Sequence, residues 1–353
     1  MPRQISASLC CLTLFSLSAL ISCSGGSSHT ASPSPTPTPT PKAATNVYVI
    51  QNPTTFGVGS GMILQFSATA TGTASPVSTV AAPTGASFNG IATDSTGNLY
   101  VSTSTPTSED IREYAAGATT ASRILPGTAT TKISAVDGIA ASASGEIFVA
   151  EDSGGIAAFG AAATGDVAPA RYILGASQTG GGLSTVIVAN AIAADSSDNL
   201  YIANEGGPGL MPIVVFGPTA TGNVAPIRAI GGSLTTIGVV GGIATDSTGN
   251  LYVSSNTLVG QSVVGKVLVF APSATGNVAP IRQISGDATQ LGLVLGIAVD
   301  LVGNIYVTSA TTSAMVPTVI KFSATASGNI APVSSFTSTA WTNPDNGGSL
   351  AVY

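Results

Sequence analysis

An all-β fold made of repeated units is predicted by three features of this chain. They are its poverty in charge, its wealth of chain-reversing residues, and a phrase that returns roughly every 50 residues. Charged residues make up 7% of the 353 positions and hydrophobic ones 44%, where an average soluble protein is about a quarter charged. A solvated helical protein builds its outer faces from Glu, Lys and Arg, so this composition argues against one. The polar surface must come from Ser, Thr, Asn and Gly, which favour turns and strands. Forty-two Gly and 21 Pro imply frequent reversals of the chain.

The repeat decides the architecture. GIATDSTGNLYVS begins at Gly90, GIAASASGEIFVA at Gly138, AIAADSSDNLYIA at Ala191, GIATDSTGNLYVS again at Gly242 and GIAVDLVGNIYVT at Gly296. A second phrase lies between the copies, VVFGPTATGNVAPIRAI from Val214 and LVFAPSATGNVAPIRQI from Leu268, with weaker copies from Leu64, Ala157 and Val319. A period of this length without helical periodicity points to propeller blades of four strands. Each unit divides into strand a (Gly-Ile-Ala-x-Asp), b (Leu-Tyr-Val-x), c (Val-x-x-Phe) and d (Ala-Pro-Ile-Arg-x-Ile). Asp94-Ser-Thr-Gly97-Asn98 reads as the tight a-to-b turn, with Asp bonding forward to the backbone and Gly supplying positive φ. Strands a and b run nearly continuously apolar, as expected when both faces of a sheet are buried between neighbours. Gly and Ala in strand a suit the crowded axis. Arg123, Arg171, Arg228 and Arg282 fall in strand d, expected as the outermost and best-solvated strand, with Pro226 and Pro280 tolerated on its edge. At Ser142 and Glu146 blade three departs from the turn pattern, a change the turn should survive.

The count closes at six. A sixth strand a, Gly348-Ser-Leu-Ala-Val-Tyr353, has no strand b after it, whereas Asn46-Val-Tyr-Val-Ile50 is a strand b with no strand a before it. The last strand is therefore expected to complete the first blade and shut the ring. Residues 46–353 so form a six-bladed β-propeller with four strands per blade.

The Gly-Ile-Ala-x-Asp, x-x-Gly-Asn-Leu-Tyr-Val and Val-x-x-Phe motifs resemble those of NHL-repeat propellers and, more distantly, of gluconolactonase-like lactonases. They are blade structure, informative on fold and nearly silent on function.

Ahead of the propeller stand two further segments. Arg3 and the apolar run Leu9 to Ile21 have the form of a signal peptide, at 13 residues too short to span a bilayer in about 20. Leu20-Ile21-Ser22-Cys23 resembles the lipobox of bacterial lipoproteins, which implies cleavage after residue 22 and acylation of Cys23; the alternative is an ordinary signal with a Cys by chance. Cys10 and Cys11 leave with the signal, so Cys23 is the one cysteine of the mature chain. Residues 23–45 then form a tether, Gly/Ser-rich and next Pro at every second position from Ala31 to Pro41. Polyproline II is its low-energy state, with a reach of up to ~60 Å. The only His, His29, sits in this tether. The expected location is the bacterial envelope, at an outer membrane or cell surface, held by lipid alone.

On the propeller, the a-to-b turns and c-to-d connections are short and stereotyped and share one face. The b-to-c and d-to-a loops share the other and vary, at Thr103–Asp110, Gly175–Ala189, Glu205–Met211 and Ser255–Gly265; variable loops on a rigid scaffold are where binding usually resides. Asn89, Asp137 and Asn190, just before strand a, and Glu151, Asn204 and Glu205, just after strand b, should ring the channel mouth, with Asn52 and Asp152 nearby. Resemblance to the lactonases implies a divalent cation such as calcium held there by carboxylate and amide oxygens. The competing reading is that these groups cap turns or are simply solvated. Blades five and six carry Gly241 and Leu295 at the matching position, which leaves the ring incomplete. Trp341 either stacks on a sugar or aromatic ligand or plugs a seam between blades.

Several functions are excluded or disfavoured. A net charge of −6 with scattered basic residues argues against nucleic acid. With no His in the domain, Ser-His catalysis and His-ligated metals fall away. No phosphate-binding loop stands before a helix, and no other cofactor is expected. What remains is a monomeric binding or scaffold module that meets a protein, glycan or small ligand through its long-loop face. The alternative is a divalent-metal-dependent, lactonase-like hydrolase working at an acidic mouth.

Overall fold

A computed structural model describes residues 43–53, 59–176, 186, 188–204, 211–310, 317–341 and 349–353. The segment that carries Cys23, most of the tether, and Glu205 lie outside them. Blade one contains β1 (Asn46–Gln51), β2 (Met62–Ser67), the two-residue β3 (Gly72–Thr73) in its outer connection, and β4 (Ser78–Ala81). Blade two is β5 (Ser87–Thr93), β6 (Leu99–Ser104), β7 (Glu109–Tyr114) and β8 (Arg123–Pro126). Blade three is β9 (Val136–Ala141), β10 (Ile147–Glu151), β11 (Ile156–Phe159) and β12 (Arg171–Ile173). Blade four is β13 (Ala189–Ala194), β14 (Leu200–Asn204), β15 (Ile213–Phe216) and β16 (Arg228–Ile230). Blade five is β17 (Val239–Thr245), β18 (Leu251–Val259), β19 (Ser262–Phe270) and β20 (Arg282–Ile284). Blade six is β21 (Leu293–Val299), β22 (Ile305–Ala310), β23 (Pro317–Phe322) and β24 (Ser334–Thr337). The last strand, β25 (Leu350–Val352), pairs antiparallel with β1, Leu350 opposite Val49 and Val352 opposite Val47. The chain is thus a six-bladed β-propeller closed by its two ends, as the repeat count predicts.

The inner strands β5, β9, β13, β17, β21 and β25 each touch the next, and β25 touches β5. Crowding at this axis explains the small residues. A Cβ added at Gly138 would lie 3.2 Å from Ile192 Cγ2 and 3.4 Å from the Ala191 backbone, and one at Gly242 would lie 3.3 Å from Gly296.

The core is not one mass but six layers, one per seam between blades. Tyr201, Ile213 and Val215 of blade four, for example, pack on Ile243, Val253, Leu268 and Phe270 of blade five. Meanwhile their neighbours Leu200, Ile202, Val214 and Phe216 face blade three. Successive side chains of one strand enter opposite seams, so continuous apolar runs are what the ring requires. Trp341 belongs to such a layer. It packs against the cluster between blades six and one and stacks on Phe336 at 5.9 Å, with Phe66 at 5.5 Å.

The Asp of the a-to-b turn does more than shape the hairpin. Asp246 Oδ1 accepts from Thr248 N, Thr248 Oγ1 and Asn250 N at 2.7–3.0 Å, while Oδ2 accepts from Asn250 Nδ2 and Tyr252 OH, both at 2.9 Å. Arg282 stacks on the Tyr252 ring, donates to its hydroxyl at 3.0 Å, and reaches Ala324 O and Ala326 O of the next blade. A chain of polar contacts therefore runs from turn to neighbouring blade, and Asp195, Tyr201 and Arg228 repeat it. The strand-d arginines are thus not the solvated residues that their place in the repeat implies. They are half-buried clamps, because a guanidinium can stack on an aromatic face and still donate at its rim. Pro226 and Pro280 stand just ahead of β16 and β20 rather than inside them, since a proline there removes no ladder donor.

Blade three replaces three members of the chain together. Ser142 holds the turn through Glu146 N at 3.2 Å. Phe148 replaces the tyrosine beneath Arg171, and Arg171 pairs with Glu146 at 2.6 Å in place of the missing hydroxyl. Blade four keeps its Asp but sets Asp198 where the others have Gly, at φ 58°, a left-handed conformation that Asp tolerates better than most residues.

Candidate functional site at the long-loop mouth

A β-bulge recurs at the long-loop end of strand a. In β9 the residues either side of Asp137 pair with Ala150 and Glu151, in β13 Asn190 is the extra residue, and in β17 it is Gly241. Similar shifts lie at Asn89-Gly90 and Leu295-Gly296. A bulge re-aims a side chain and leaves backbone groups off the ladder. Strand b satisfies them: Ser102 Oγ accepts from Gly90 N at 2.7 Å, and Thr308 Oγ1 accepts from Gly296 N at 2.8 Å. That use accounts for the Ser or Thr that follows the Tyr-Val of strand b in blades two and six; in blade five Ser254 Oγ instead donates to Gly242 O at 3.2 Å.

These bulges frame a cavity of about 380 Å³, whose polar lining includes Asp137, Asn190, Asn256 and Ser349. Its floor is an apolar girdle of Ile91, Ile139, Ile192, Ile243, Ile297 and Leu350, one from each blade and each 6–8% exposed. At the opposite mouth a cavity of about 340 Å³ is lined by the four turn aspartates Asp94, Asp195, Asp246 and Asp300, with Ala44, Thr45 and Tyr353 at its rim. Those carboxylates accept bonds within their own turns, as Asp246 shows, and Asp300 accepts one more from Ala44 N.

The residues expected at the long-loop mouth divide. Asp137 and Asn190 line the cavity. The Asn89 amide donates to Val136 O at 3.4 Å across the seam and is not part of the lining. Asn204 is buried at the end of β14, and Glu205 lies outside the described residues. Glu151 is 3% exposed and turned into blade three, where Oε2 accepts from Tyr172 OH at 2.8 Å and Ser153 Oγ at 3.2 Å while Oε1 has no hydrogen-bond partner among the described residues. Among the described residues no three His, Cys, Asp or Glu side chains form a group that could hold a metal ion; Glu205, a member of the set implied by resemblance, lies outside them.

Two features of the mouth go beyond the repeat motifs. Asn256 both lines the cavity and clamps the next blade, its Nδ2 donating to Val294 O at 2.7 Å and its Oδ1 accepting from Val294 N at 2.9 Å. Asn52 does the same at Phe88, and Glu109 Oε2 accepts from the equivalent Val136 N. Alignment of blade one with blade five would have exposed the shared Asn. Second, β18 and β19 are nine residues each, where β14 and β15 have five and four. Their hairpin continues past the mouth to Leu258 and Val259, which are 70% and 60% exposed.

Burial raises the Glu151 carboxyl above its ordinary range, against the bonds from Tyr172 and Ser153 and the pull of Lys132, with Glu109 adding to the rise. A raised folded value means that the folded state holds the proton more tightly. Its stability contribution is full below about pH 4.3 and is lost as pH rises through the folded value. Urea unfolding of Glu151→Gln against the parent should therefore favour the variant more at pH 7.5 than at pH 5. A difference that does not change with pH would place the carboxyl in solvent.

No family model matches this chain. No curated protein matches it in sequence either. Among solved structures it is similar to a protein of unknown function from Bacteroides caccae, with a TM-score of 0.56 at 9% identity, covering 88% of this chain and 99% of that one. Apo AztD from Citrobacter koseri aligns with a TM-score of 0.47 at 12% identity, over 88% and 98% of the two chains. At such identities the likeness to the Bacteroides protein speaks for the propeller fold alone.

Proposed function

We propose that this protein is a lipid-anchored, extracytoplasmic binding module of NHL type that meets a partner protein through its long-loop face. The observation that carries this reading is the blade-five hairpin. Three residue pairs, from Thr257 opposite Val264 to Val259 opposite Ser262, carry it beyond the last described pairs of blades four and six, Ala203 opposite Ile213 and Ala310 opposite Pro317, about 10 Å at the usual strand rise. Its tip is aliphatic, and Val239 at the hairpin's base is also exposed. Aliphatic tips suit a protein groove, whereas glycans are met by aromatic platforms, and Trp341 is committed to a seam.

Chain entry fits the same picture. Ala43, Ala44 and Thr45 line the turn-face mouth, and Ala44 N donates to Asp300 Oδ2 at 3.1 Å. The first described residues of the propeller thus stand at the turn face, away from the hairpin. The hydrolase reading has less support, since Asp137 is the only carboxylate among the described residues that line the long-loop cavity.

The test is site-specific photocrosslinking in intact cells. A photoreactive residue at Gln261 should capture one discrete protein, and one at Ser247 on the turn face should not. Leu258→Ser with Val259→Ser should abolish the product without moving Tm by more than about 2 °C, as exposed substitutions rarely cost more than about 0.5 kcal/mol. Cys23→Ser should shift the chain from the membrane to the soluble fraction. Equal crosslinking from both faces would remove the binding assignment, and unchanged partitioning would remove the anchor.

A further inference from the structure

Five of the six outer strands have their free edge capped by the blade that follows. In blade three, Gly222 N donates to Tyr172 O at 2.7 Å and Leu174 N donates to Gly222 O at 3.0 Å. Gly276 caps blade four in the same way through Ala229 O and Gly231 N, and Gly328 caps blade five through Gln283 O and Ser285 N. At the closing seam β3 pairs parallel with β24, and Gly165 N donates to Ile124 O over blade two. The cap is an Ala-Thr-Gly-Asn phrase at Gly222 and Gly276, with Thr73 or Asp166 in place of Asn at Gly72 and Gly165 and Ser327 in place of Thr at Gly328, so that four of the five are uncharged. It runs parallel to the outer strand and turns at a glycine with φ of 62–75°.

Blade one has no such cap among the described residues. The equivalents of Ala229 O and Gly231 N are Thr79 O and Ala81 N of β4, either side of buried Val80, and no group of the described residues of the next blade bonds to them. The reason is a deletion in the next blade. In blade five Phe270-Ala-Pro-Ser-Ala-Thr-Gly276 leads to the cap, whereas blade two has only Tyr114-Ala-Ala-Gly117. From the glycine onward the two are of equal length, to Arg282 and Arg123. The shortened loop closes on itself through Ala118 N to Ala115 O and Ser122 N to Glu113 O. The bare edge also lacks the usual protection. Val77-Ser-Thr-Val-Ala81 carries no charge and no proline, Thr79 and Ala81 are exposed, and Val77 is 64% exposed.

We propose that the outer edge of β4 is a docking site for an extended, uncharged, small-residue segment of a partner protein, added by strand pairing at Thr79 O and Ala81 N. The five capped edges define the occupant, a short stretch in parallel register. A second copy of this chain does not fit that description, because an edge that meets its own twin about a two-fold axis runs antiparallel to it. The site lies on the rim, apart from the long-loop mouth, and stands independently of the function proposed above.

The probe is the chain's own cap supplied in trans, a labelled peptide of residues 273–280, Ser-Ala-Thr-Gly-Asn-Val-Ala-Pro. It should bind saturably by fluorescence anisotropy and slow amide exchange at Ala81 at least about tenfold, where a scrambled peptide does neither. Ala81→Pro should remove binding by deleting the donor. Inserting Ser-Ala-Thr between Ala116 and Gly117 should restore the cap in cis, remove binding and protect the Ala81 amide without peptide. The proposal is overturned if the free protein already protects Ala81 as strongly as Gly231, if the insertion variant still binds the peptide, or if the peptide fails to bind at all. A dimer by light scattering that the insertion abolishes would assign the edge to a second copy instead.

Discussion

Removal of Leu350–Tyr353 will lower the unfolding free energy by about 5 kcal/mol and Tm by roughly 10 °C or more. Leu350, Ala351 and Val352 are all buried, and Leu and Val each contribute about 2 kcal/mol on leaving water. The backbone adds to this. Thr45 N and Asn46 N both donate to Tyr353 O at 2.8 Å, Tyr353 N donates to Asn46 O, and Thr93 Oγ1 donates to Val352 O. The Tyr353 ring lies over Gly97 of blade two so closely that a Cβ there would sit 2.4 Å from it. Truncation therefore frees the inner edge of β1 and opens two seams at once. Circular dichroism melts of the full and truncated chains measure the effect, and a loss below about 1 kcal/mol would mean that ring closure contributes little.

Asp246→Ala is expected to cost about 3 kcal/mol. Hydrogen bonds to a charged acceptor are worth about 1.5–3 kcal/mol each, and their loss is dearest where a buried donor is stranded. Asp246 accepts from five donors, one of them the hydroxyl of Tyr252, itself only 1% exposed. Burial alone would raise the Asp246 carboxyl, but the bonds from Asn250, Thr248 and Tyr252 outweigh it and hold the carboxyl below its ordinary range. The stability from a depressed carboxylate is present above the unfolded value near pH 3.9 and lost as pH falls through the folded one. Denaturant unfolding should thus show the Asp246→Ala deficit at pH 7 and a smaller deficit near pH 3. Pairing the substitution with Tyr252→Phe should cost less than the sum of the two alone, because they break one network. Strict additivity would show that the turn and the seam clamp act separately.

Repeat spacing and the orphaned strands at each end dictate six blades and their closure, because a strand that lacks its partner in sequence must find it in space. Continuous apolar runs announce sheets buried on both faces, and Gly at the axis announces crowding. All of these are local patterns repeated around the ring, and repetition makes a weak signal readable. The departures of blade three are also visible in the amino-acid sequence, but not their meaning. Ser142, Glu146 and Phe148 are understood only once Arg171 is seen to reach Glu146 instead of a tyrosine hydroxyl.

The site is less legible, for a physical reason. Asp137 and Glu151 occupy neighbouring strand ends, yet the bulge leaves one on the channel wall and the other inside the blade against Tyr172. Which way a loop-proximal acid turns depends on a register shift of one residue and on what the adjacent blade offers. A missing cap on β4 is of the same kind. The sequence by itself determined the strands, their number and the order in which they close. Tertiary structure alone decided which polar groups are spent on seams and which edge is left bare, since those bonds join residues of different blades whose geometry exists only when the ring is complete.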